Sequence, residues 1–184
     1  AFVRDRRISL LDNRPLGALL ARKIEFPRIA ENIAKGALDA LAITCSGYTS
    51  GQSVSFFQGG SALEGWERNQ RIGAAVVLQL DYLLASSALP FIFPAVKVHR
   101  EYFGDGSMRQ IAPLSPALHL GAERILVIGV RQEDPGAMAR NGSEPERPTL
   151  AQIGGHVLSS IFLDALEADL ERLRRINLTV SRIP

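Results

Sequence analysis

Residues 84–130 read LASSALPFIFPAVKVHREYFGDGSMRQIAPLSPALHLGAERILVIGV, and this stretch decides the fold class of the chain. Pro90 ends a helical run, because proline lacks the amide donor that a helix interior needs. A strand-like segment then leads into Gly104-Asp105-Gly106-Ser107, and residues 113–121 have the pattern of a helix that ends at a glycine. The final run, residues 124–130, is rich in β-branched side chains and predicts a strand buried on both faces.

The segments on both sides of this stretch alternate between helical and strand patterns. Helices are predicted to begin near Asp12, ahead of a proline, and at Thr149, which opens a capping box with Gln152. Residues 38–46 and 53–58 predict a β-hairpin. Further elements are a helix over 26–35 capped by Gly36, a strand over 72–77, a helix over 78–87 and a hairpin around 99–101. Strands separated by helices, without a repeat of fixed period, predict an α/β domain.

Length, charge and cysteine count exclude several function classes. The 184 residues are enough for one domain with a sizeable core. A net charge of +2 is too balanced to predict nucleic-acid binding. The single cysteine, Cys45, excludes an internal disulfide and a metal site built from cysteines. No apolar run approaches the ~20 residues that cross a bilayer. We therefore expect a protein that is soluble or attached to a membrane surface, with a cytoplasmic location slightly favoured.

The usual nucleophile motif of α/β hydrolases, Gly-x-Ser-x-Gly, does not occur in this sequence. The segment 47–51 places its serine, Ser50, one position too late. Three histidines are present, but they have no metal-ligand spacing and are expected on the surface or in a hairpin turn. They are His99, His119 and His156. Cys45 lies in a predicted buried strand, where a lone cysteine is most often a packing residue.

Asp105, between Gly104 and Gly106, is the remaining candidate for chemistry. Asp-Gly is a common pair in hairpin turns, and residue chemistry alone favours that structural interpretation. Two features support a functional one. The turn precedes a helix and a predicted buried strand, so it is expected near the edge of the sheet, where α/β sites often lie. The two glycines are also expected to leave room around the carboxylate. Both interpretations stay open on these grounds.

Five short motifs follow one another in a fixed order over about forty-five residues. They are residues 85–90, 93–96, 102–107, 113–117 and 120–125, with weaker likeness at 9–12 and 41–44. Their order and spacing resemble the patatin-like phospholipase family, in the C-terminal part of the catalytic domain that follows the nucleophile elbow.

The resemblance implies a three-layer α/β/α sandwich and a lipid acyl hydrolase that uses a Ser–Asp dyad without a cofactor or metal. Asp105 matches the catalytic aspartate of the family, with Gly104, Gly106 and Ser107 as the supporting motif. The family usually has glycine or alanine where Ser107 stands. The nucleophile elbow and the glycine-rich oxyanion loop are expected upstream of residue 1, so these 184 residues alone are expected to be inactive.

The resemblance also suggests how the chain is divided. Residues 1–133 are expected to be the C-terminal portion of the catalytic domain, 134–148 a polar loop, and 149–184 a helical extension that packs on the domain. The expected partner is a lipid or another fatty-acyl ester, with contact to a membrane surface left open and no nucleic acid. The alternatives are an inactive patatin-fold module that binds lipid or serves as a scaffold, and an unrelated α/β domain.

Overall fold

The computed structural model describes residues 9–128 and 149–182 and shows a mixed α/β fold with a six-stranded sheet. The helices are α1 (Arg14–Lys23), α2 (Pro27–Ala34), α3 (Leu80–Ser86), α4 (Ser115–His119) and α5 (Leu150–Val180), with a 3-10 turn over Gly106–Arg109. The strands are β1 (Ala40–Gly47), β2 (Ser53–Gly59), β3 (Trp66–Arg68), β4 (Arg71–Ala75), β5 (Val96–Val98) and β6 (Glu101–Asp105).

The strand order across the sheet is β3-β4-β2-β1-β6-β5, and only β2 and β4 run parallel. β1 and β2 form the longest ladder, from the pair Ala40–Gly59 to the pair Ser46–Ser53. On its other side, β1 pairs with β6 only from Cys45 to Gly47. In the described part of the chain, the first half of β1 therefore has a strand on one side only.

The core lies where β1, β2, β6 and α3 meet. The Phe56 ring sits 4.7 Å from the Tyr82 ring and 5.3 Å from the Phe103 ring, measured between centroids. Cys45 is fully buried in the same cluster, and its thiol lies 3.5 Å from the main-chain oxygen of Tyr82. These contacts hold the end of β6 against the centre of the sheet.

Most predicted elements are confirmed within one or two residues. The hairpin of β1 and β2, the strand β4, the helices α1 to α4 and the hairpin of β5 and β6 all form where the sequence places them. Gly36 and Gly121 both adopt left-handed backbone angles, with φ of 69° and 89°, as helix-ending glycines do. Thr149 and Gln152 make the predicted capping box at the start of α5.

The predicted buried strand over residues 124–130 is wrong for the residues that can be assessed. Residues 124–128 belong to no strand, and Leu126 and Ile128 are 87% and 90% exposed. Residues 129–130 lie outside the described part. A β-branched run forms a strand only where a neighbour accepts its main-chain groups, and no described strand lies beside it.

The spacing of charges in α5 predicts two neighbouring pairs on its solvent side, Asp169 with Arg172 and Glu171 with Arg175, and the structure differs at one of these side chains. Asp169 was expected on the solvent side, but it is only 6% exposed, and its Oδ2 accepts a hydrogen bond from the Leu114 amide at 3.1 Å. Glu171 and Arg175 do form the expected exposed pair, at 2.8 Å. The side chains at 156–168 lie outside the description, as does the expected polar loop 134–148, so the predicted domain division stays a prediction.

His119, at the end of α4, stacks on Trp66 of β3 with ring centroids 4.7 Å apart and planes 12° apart. Trp66 in turn stacks on Phe57 at 5.3 Å. Burial, followed by the positive charges of Arg68 and Arg71, lowers the pKa of His119 below its usual value. The folded chain therefore prefers a neutral His119.

Stability should consequently fall as the pH drops below about 6.5, because the unfolded chain then binds a proton that the folded chain disfavours. We expect His119→Phe, which keeps a ring on Trp66 but carries no charge, to show a smaller loss. The measurement is the thermal midpoint of both proteins on each side of that pH. The same drop in thermal midpoint in the wild type and in His119→Phe would contradict the assignment of this pH dependence to His119. Both proteins keep His99 and His156, so such a drop would come from other groups.

Candidate active site

Asp105 is the last residue of β6 and caps the 3-10 turn that follows it. Its Oδ1 accepts hydrogen bonds from the Ser107 amide at 2.9 Å and from the Ser107 hydroxyl at 2.5 Å. The Asp105 amide donates to the main-chain oxygen of Ala88 at 3.0 Å. The partners of β6 are β1 and β5, so the Asp-Gly pair does not connect a hairpin. The structural interpretation as a hairpin turn is therefore wrong, and the carboxylate is a capping group.

The room expected around the two glycines is filled by the chain itself. A Cβ at Gly104 would lie 2.7 Å from the Tyr48 hydroxyl, whose ring covers this position. A Cβ at Gly106 would overlap the main-chain oxygen of Thr44. Glycine is needed at position 106 because the approaching atom belongs to the main chain, whereas a Cβ at position 104 would require the Tyr48 side chain to move. Neither glycine has open space beside it for a substrate.

Access to Asp105 comes from a cleft of about 960 Å³ beside it. Besides Asp105, the polar residues that line it are Asp39, Thr44, Ser86, Ser107 and Gln110. Most of the remaining lining is apolar, including Ile29, Leu41, Ile43, Leu83, Pro116 and Leu120. A half-buried carboxylate at the side of a mostly apolar cleft is a common arrangement in ligand and active sites.

The serines near Asp105 are engaged in structural hydrogen bonds. The Ser86 hydroxyl donates to the Thr44 main-chain oxygen at 2.8 Å, and that of Ser87 to the Leu83 main-chain oxygen at 3.1 Å. Within residues 9–128 and 149–182, Ser107 carries the one hydroxyl that is hydrogen-bonded to the Asp105 side chain. The four predicted site residues, Gly104, Asp105, Gly106 and Ser107, are consecutive in the chain, so their proximity is given by the covalent connection alone.

Neither of the two histidines with described side chains contacts Asp105. His99 lies exposed in its predicted hairpin turn, with Nε2 at 3.0 Å from the Tyr82 hydroxyl. His119 stacks on Trp66, and the side chain of His156 lies outside the description. The described residues contain no group of His, Cys, Asp and Glu side chains that could hold a metal ion, and no helix among them is long and apolar enough to cross a membrane.

Tyr48 is the site residue that sequence reasoning missed, because residues 47–51 were interpreted only as turn chemistry. Burial, and then the nearby charge of Asp105, raise the pKa of Tyr48 above its usual value. One signal could have indicated Tyr48: it is an aromatic residue directly after β1, and β1 pairs with the strand that ends at Asp105. The contact itself depends on the register Gly47–Phe103, which the sequence does not reveal.

No protein-family model, curated protein or solved structure matches this chain.

Cys45 lies directly opposite Asp105 in the ladder between β1 and β6. Burial, with a further contribution from the Asp105 charge, raises the pKa of its thiol to about 12. We expect the native protein to react with an aromatic disulfide reagent at pH ~8 at least ~100-fold more slowly than the guanidinium-unfolded chain, because the thiolate is the reactive form. A Thr49→Cys variant, exposed on the turn, should react at once. Equal rates for native and unfolded wild type would contradict the burial of Cys45.

The close approach at Gly106 gives a stability prediction. Gly106→Ala should lower the free energy of unfolding by about 1–3 kcal/mol or more, because the main-chain oxygen of Thr44 cannot move without disturbing β1. The matched control is Gly60→Ala, where no atom lies within 4 Å of the added Cβ. Its effect should stay within about 0.5 kcal/mol. Equal effects of the two substitutions in chemical denaturation would refute the packing argument.

Proposed function

We propose that the chain is part of a lipid acyl hydrolase of the patatin-like phospholipase type, with Asp105 as the general base of a Ser–Asp dyad. The observation that carries the proposal is the placement of the Asp105 carboxylate beside a largely apolar cleft of about 960 Å³. The ordered motifs between residues 85 and 125 support it. The proposed fold is the three-layer α/β/α sandwich of that family, of which the six-stranded mixed sheet is one layer.

The proposed reaction requires a serine that is not among the described side chains. Its hydroxyl loses the proton to Asp105 as Oγ bonds to the ester carbonyl carbon. The bond from that carbon to the alcohol oxygen then breaks, and the leaving alcohol takes the proton from Asp105. In the second half, Asp105 removes a proton from water as the water oxygen bonds to the acyl carbon. The bond from that carbon to the serine Oγ then breaks, Oγ takes the proton from Asp105, and the fatty acid leaves.

The hydrogen bonds of Asp105 are compatible with this role. Oδ1 is held by the amide and hydroxyl of Ser107, which fixes the orientation of the carboxylate. Since a carboxylate has further acceptor sites, an incoming serine hydroxyl can still bind it. The apolar lining suits a fatty acyl chain, while the amide side chain of Gln110 in the same lining suits the polar ester group. No cofactor or metal enters the proposed reaction.

A second candidate is an inactive module that keeps the fold and binds lipid or serves as a scaffold. The hydroxyl of Ser107 favours it, because this group already occupies the carboxylate where the proposed family usually has glycine or alanine. The two candidates differ in one respect: a module would bind fatty acid in the cleft without turning over any ester.

The 184 residues alone should not hydrolyse a chromogenic short-chain ester faster than buffer does. Neither the proposed serine nor its oxyanion donors would be present, and one such donor is typically worth ~3–4 kcal/mol of transition-state stabilisation. If the chain hydrolyses the ester well above the buffer rate, and Asp105→Asn abolishes this activity, the nucleophile lies within these 184 residues. That result would contradict the expectation that it lies upstream of residue 1. Ser107→Ala then tests the one hydroxyl that touches Asp105.

The enzyme proposal itself is tested in a longer chain that includes the upstream residues. Asp105→Asn should lower kcat by about 10²–10⁴, the range of general-base catalysis, with little change in the thermal midpoint. Asparagine keeps an oxygen acceptor for Ser107, so the turn should persist. Ser107→Ala is the control and should retain activity within about tenfold. Saturable fatty-acid binding with no turnover in the longer wild-type chain would favour the module instead.

A further inference from the structure

The turn over residues 47–51, between β1 and β2, is bonded to a carboxylate from β6. Oε1 of Glu101 accepts hydrogen bonds from the amides of Thr49 and Ser50, at 2.8 Å and 2.6 Å. The same oxygen lies close to Gly47, where a Cβ would overlap it. Since a carboxylate is a stronger acceptor for main-chain amides than a neutral oxygen, Glu101 ties this turn firmly to the start of β6.

The same turn contacts the chain on both sides of Asp105. Before the aspartate, the Tyr48 ring covers Gly104. After it, the guanidinium of Arg109, in the 3-10 turn, lies over Gly51, with Cζ 3.6 Å from the position that a Cβ would take there. The segment that carries the carboxylate is therefore in contact with the turn at two points.

The contacts of the turn also lie on both faces of β6. Successive side chains of a strand point to opposite faces, so Glu101 and Gly104 belong to opposite faces. The turn is bonded to the Glu101 carboxylate on one face, while its Tyr48 ring packs on Gly104 on the other. Between them, the Tyr48 amide donates to the main-chain oxygen of Tyr102 at 3.0 Å. One turn thus holds the strand that ends at Asp105 from both faces.

A simpler interpretation is that Glu101 only closes the turn. The amide of Gly51 already donates to the Gly47 oxygen at 3.1 Å, so closure does not depend on the carboxylate. Burial, and then the charge of Asp105, raise the pKa of Tyr48, so the ring carried by the turn lies within electrostatic reach of the Asp105 carboxylate. These observations favour a role that extends from the turn to Asp105.

We propose that Glu101 is a positioning residue for Asp105: through the turn 47–51 it holds the end of β6, and with it the carboxylate, in one orientation beside the cleft. The proposal rests on the proposed function in assigning a chemical task to Asp105, whereas the positioning itself is a property of the fold. A general base must meet the incoming hydroxyl within hydrogen-bond reach, so a displaced carboxylate slows the reaction. Glu101 itself takes no part in the proton transfers.

Substitutions at two positions separate positioning from turn closure. Glu101→Ala removes the acceptor of both amides, whereas Glu101→Gln keeps an oxygen for them. Tyr48→Ala uncovers Gly104, whereas Tyr48→Phe keeps the ring. The matched control is Glu67→Ala, which removes the same charge from β3, at the edge of the sheet away from β6. If Glu101→Ala unfolds, Tyr48→Ala gives the same test, since its side chain is 48% exposed and its loss should leave the chain folded.

The first readout is amide hydrogen exchange by NMR on the 184-residue chain. The Ser107 amide reports the orientation of the carboxylate, because it donates to Asp105 Oδ1 at 2.9 Å. Glu101→Ala and Tyr48→Ala should each raise its exchange rate about tenfold or more. Glu101→Gln, Tyr48→Phe and Glu67→Ala should stay within about threefold of the wild type.

A reference amide and a double variant show whether the effect is local and shared. The Val76 amide donates to the Phe57 oxygen at 2.8 Å, on the other side of β2, and its exchange should not change. Glu101→Ala and Tyr48→Ala act through one turn, so their effects on the Ser107 amide should not add. The double variant should exchange no more than about threefold faster than the faster single variant.

The second readout is ester hydrolysis by the longer chain that includes the upstream residues. Glu101→Ala should lower kcat about tenfold or more, with KM changed by less than about threefold. Glu101→Gln should keep kcat within about threefold of the wild type. In a chain that already carries Asp105→Asn, Glu101→Ala should have no further effect, because the carboxylate through which it acts is gone.

Three results would overturn the proposal. One is wild-type exchange of the Ser107 amide in Glu101→Ala and Tyr48→Ala, and another is an equal rise at Ser107 and Val76, which would indicate general loosening of the fold. The third is a further loss of kcat from Glu101→Ala in the Asp105→Asn chain, which would give Glu101 a separate task. If the longer wild-type chain hydrolyses no ester, the proposed function fails, and the exchange rates alone decide the positioning role.

Discussion

The antiparallel ladder between β1 and β2 is the constraint on which the rest of the structure depends. It covers all of β2 and nearly all of β1, so it fixes the register of the two central strands. β4 pairs with the other side of β2, and β6 pairs with the end of β1. The aromatic cluster of Phe56, Tyr82 and Phe103 closes over this arrangement from α3. Asp105 reaches its position because β6 is placed by Cys45 to Gly47.

The elements that could be predicted from the sequence are those specified by neighbouring residues. Turn glycines, prolines and a capping threonine fix where the helices and hairpins begin and end, and these signals act over a few residues. The absence of a strand over residues 124–128 and the burial of Asp169 could not be predicted in this way. Whether a β-branched run pairs, and whether a carboxylate is buried, depends on segments that are distant in sequence. The buried carboxylate of Asp169 has a hydrogen-bond partner in the Leu114 amide, which is 55 residues away in the sequence.

The candidate site shows the same division. Its four consecutive residues are together by covalent connection, and their resemblance to an Asp-Gly motif is readable from the sequence. The functions of the two glycines cannot be predicted from the sequence, because the atoms that fill their space come from Thr44 on β1 and from Tyr48 in the turn after it. The carboxylate likewise has a structural duty, capping the turn at Ser107, in addition to the proposed chemical one. A substitution that retains an acceptor oxygen separates these two duties.

The contact between Gly106 and the Thr44 oxygen has a consequence for the way such motifs are used in evolutionary comparison. Any related chain that keeps this packing must keep a glycine after the aspartate, whether or not it catalyses a reaction. Selection for folding alone would then preserve half of the Asp-Gly signature in descendants that have lost their chemistry. The glycine of the pair would therefore identify members of a lineage better than it identifies working enzymes.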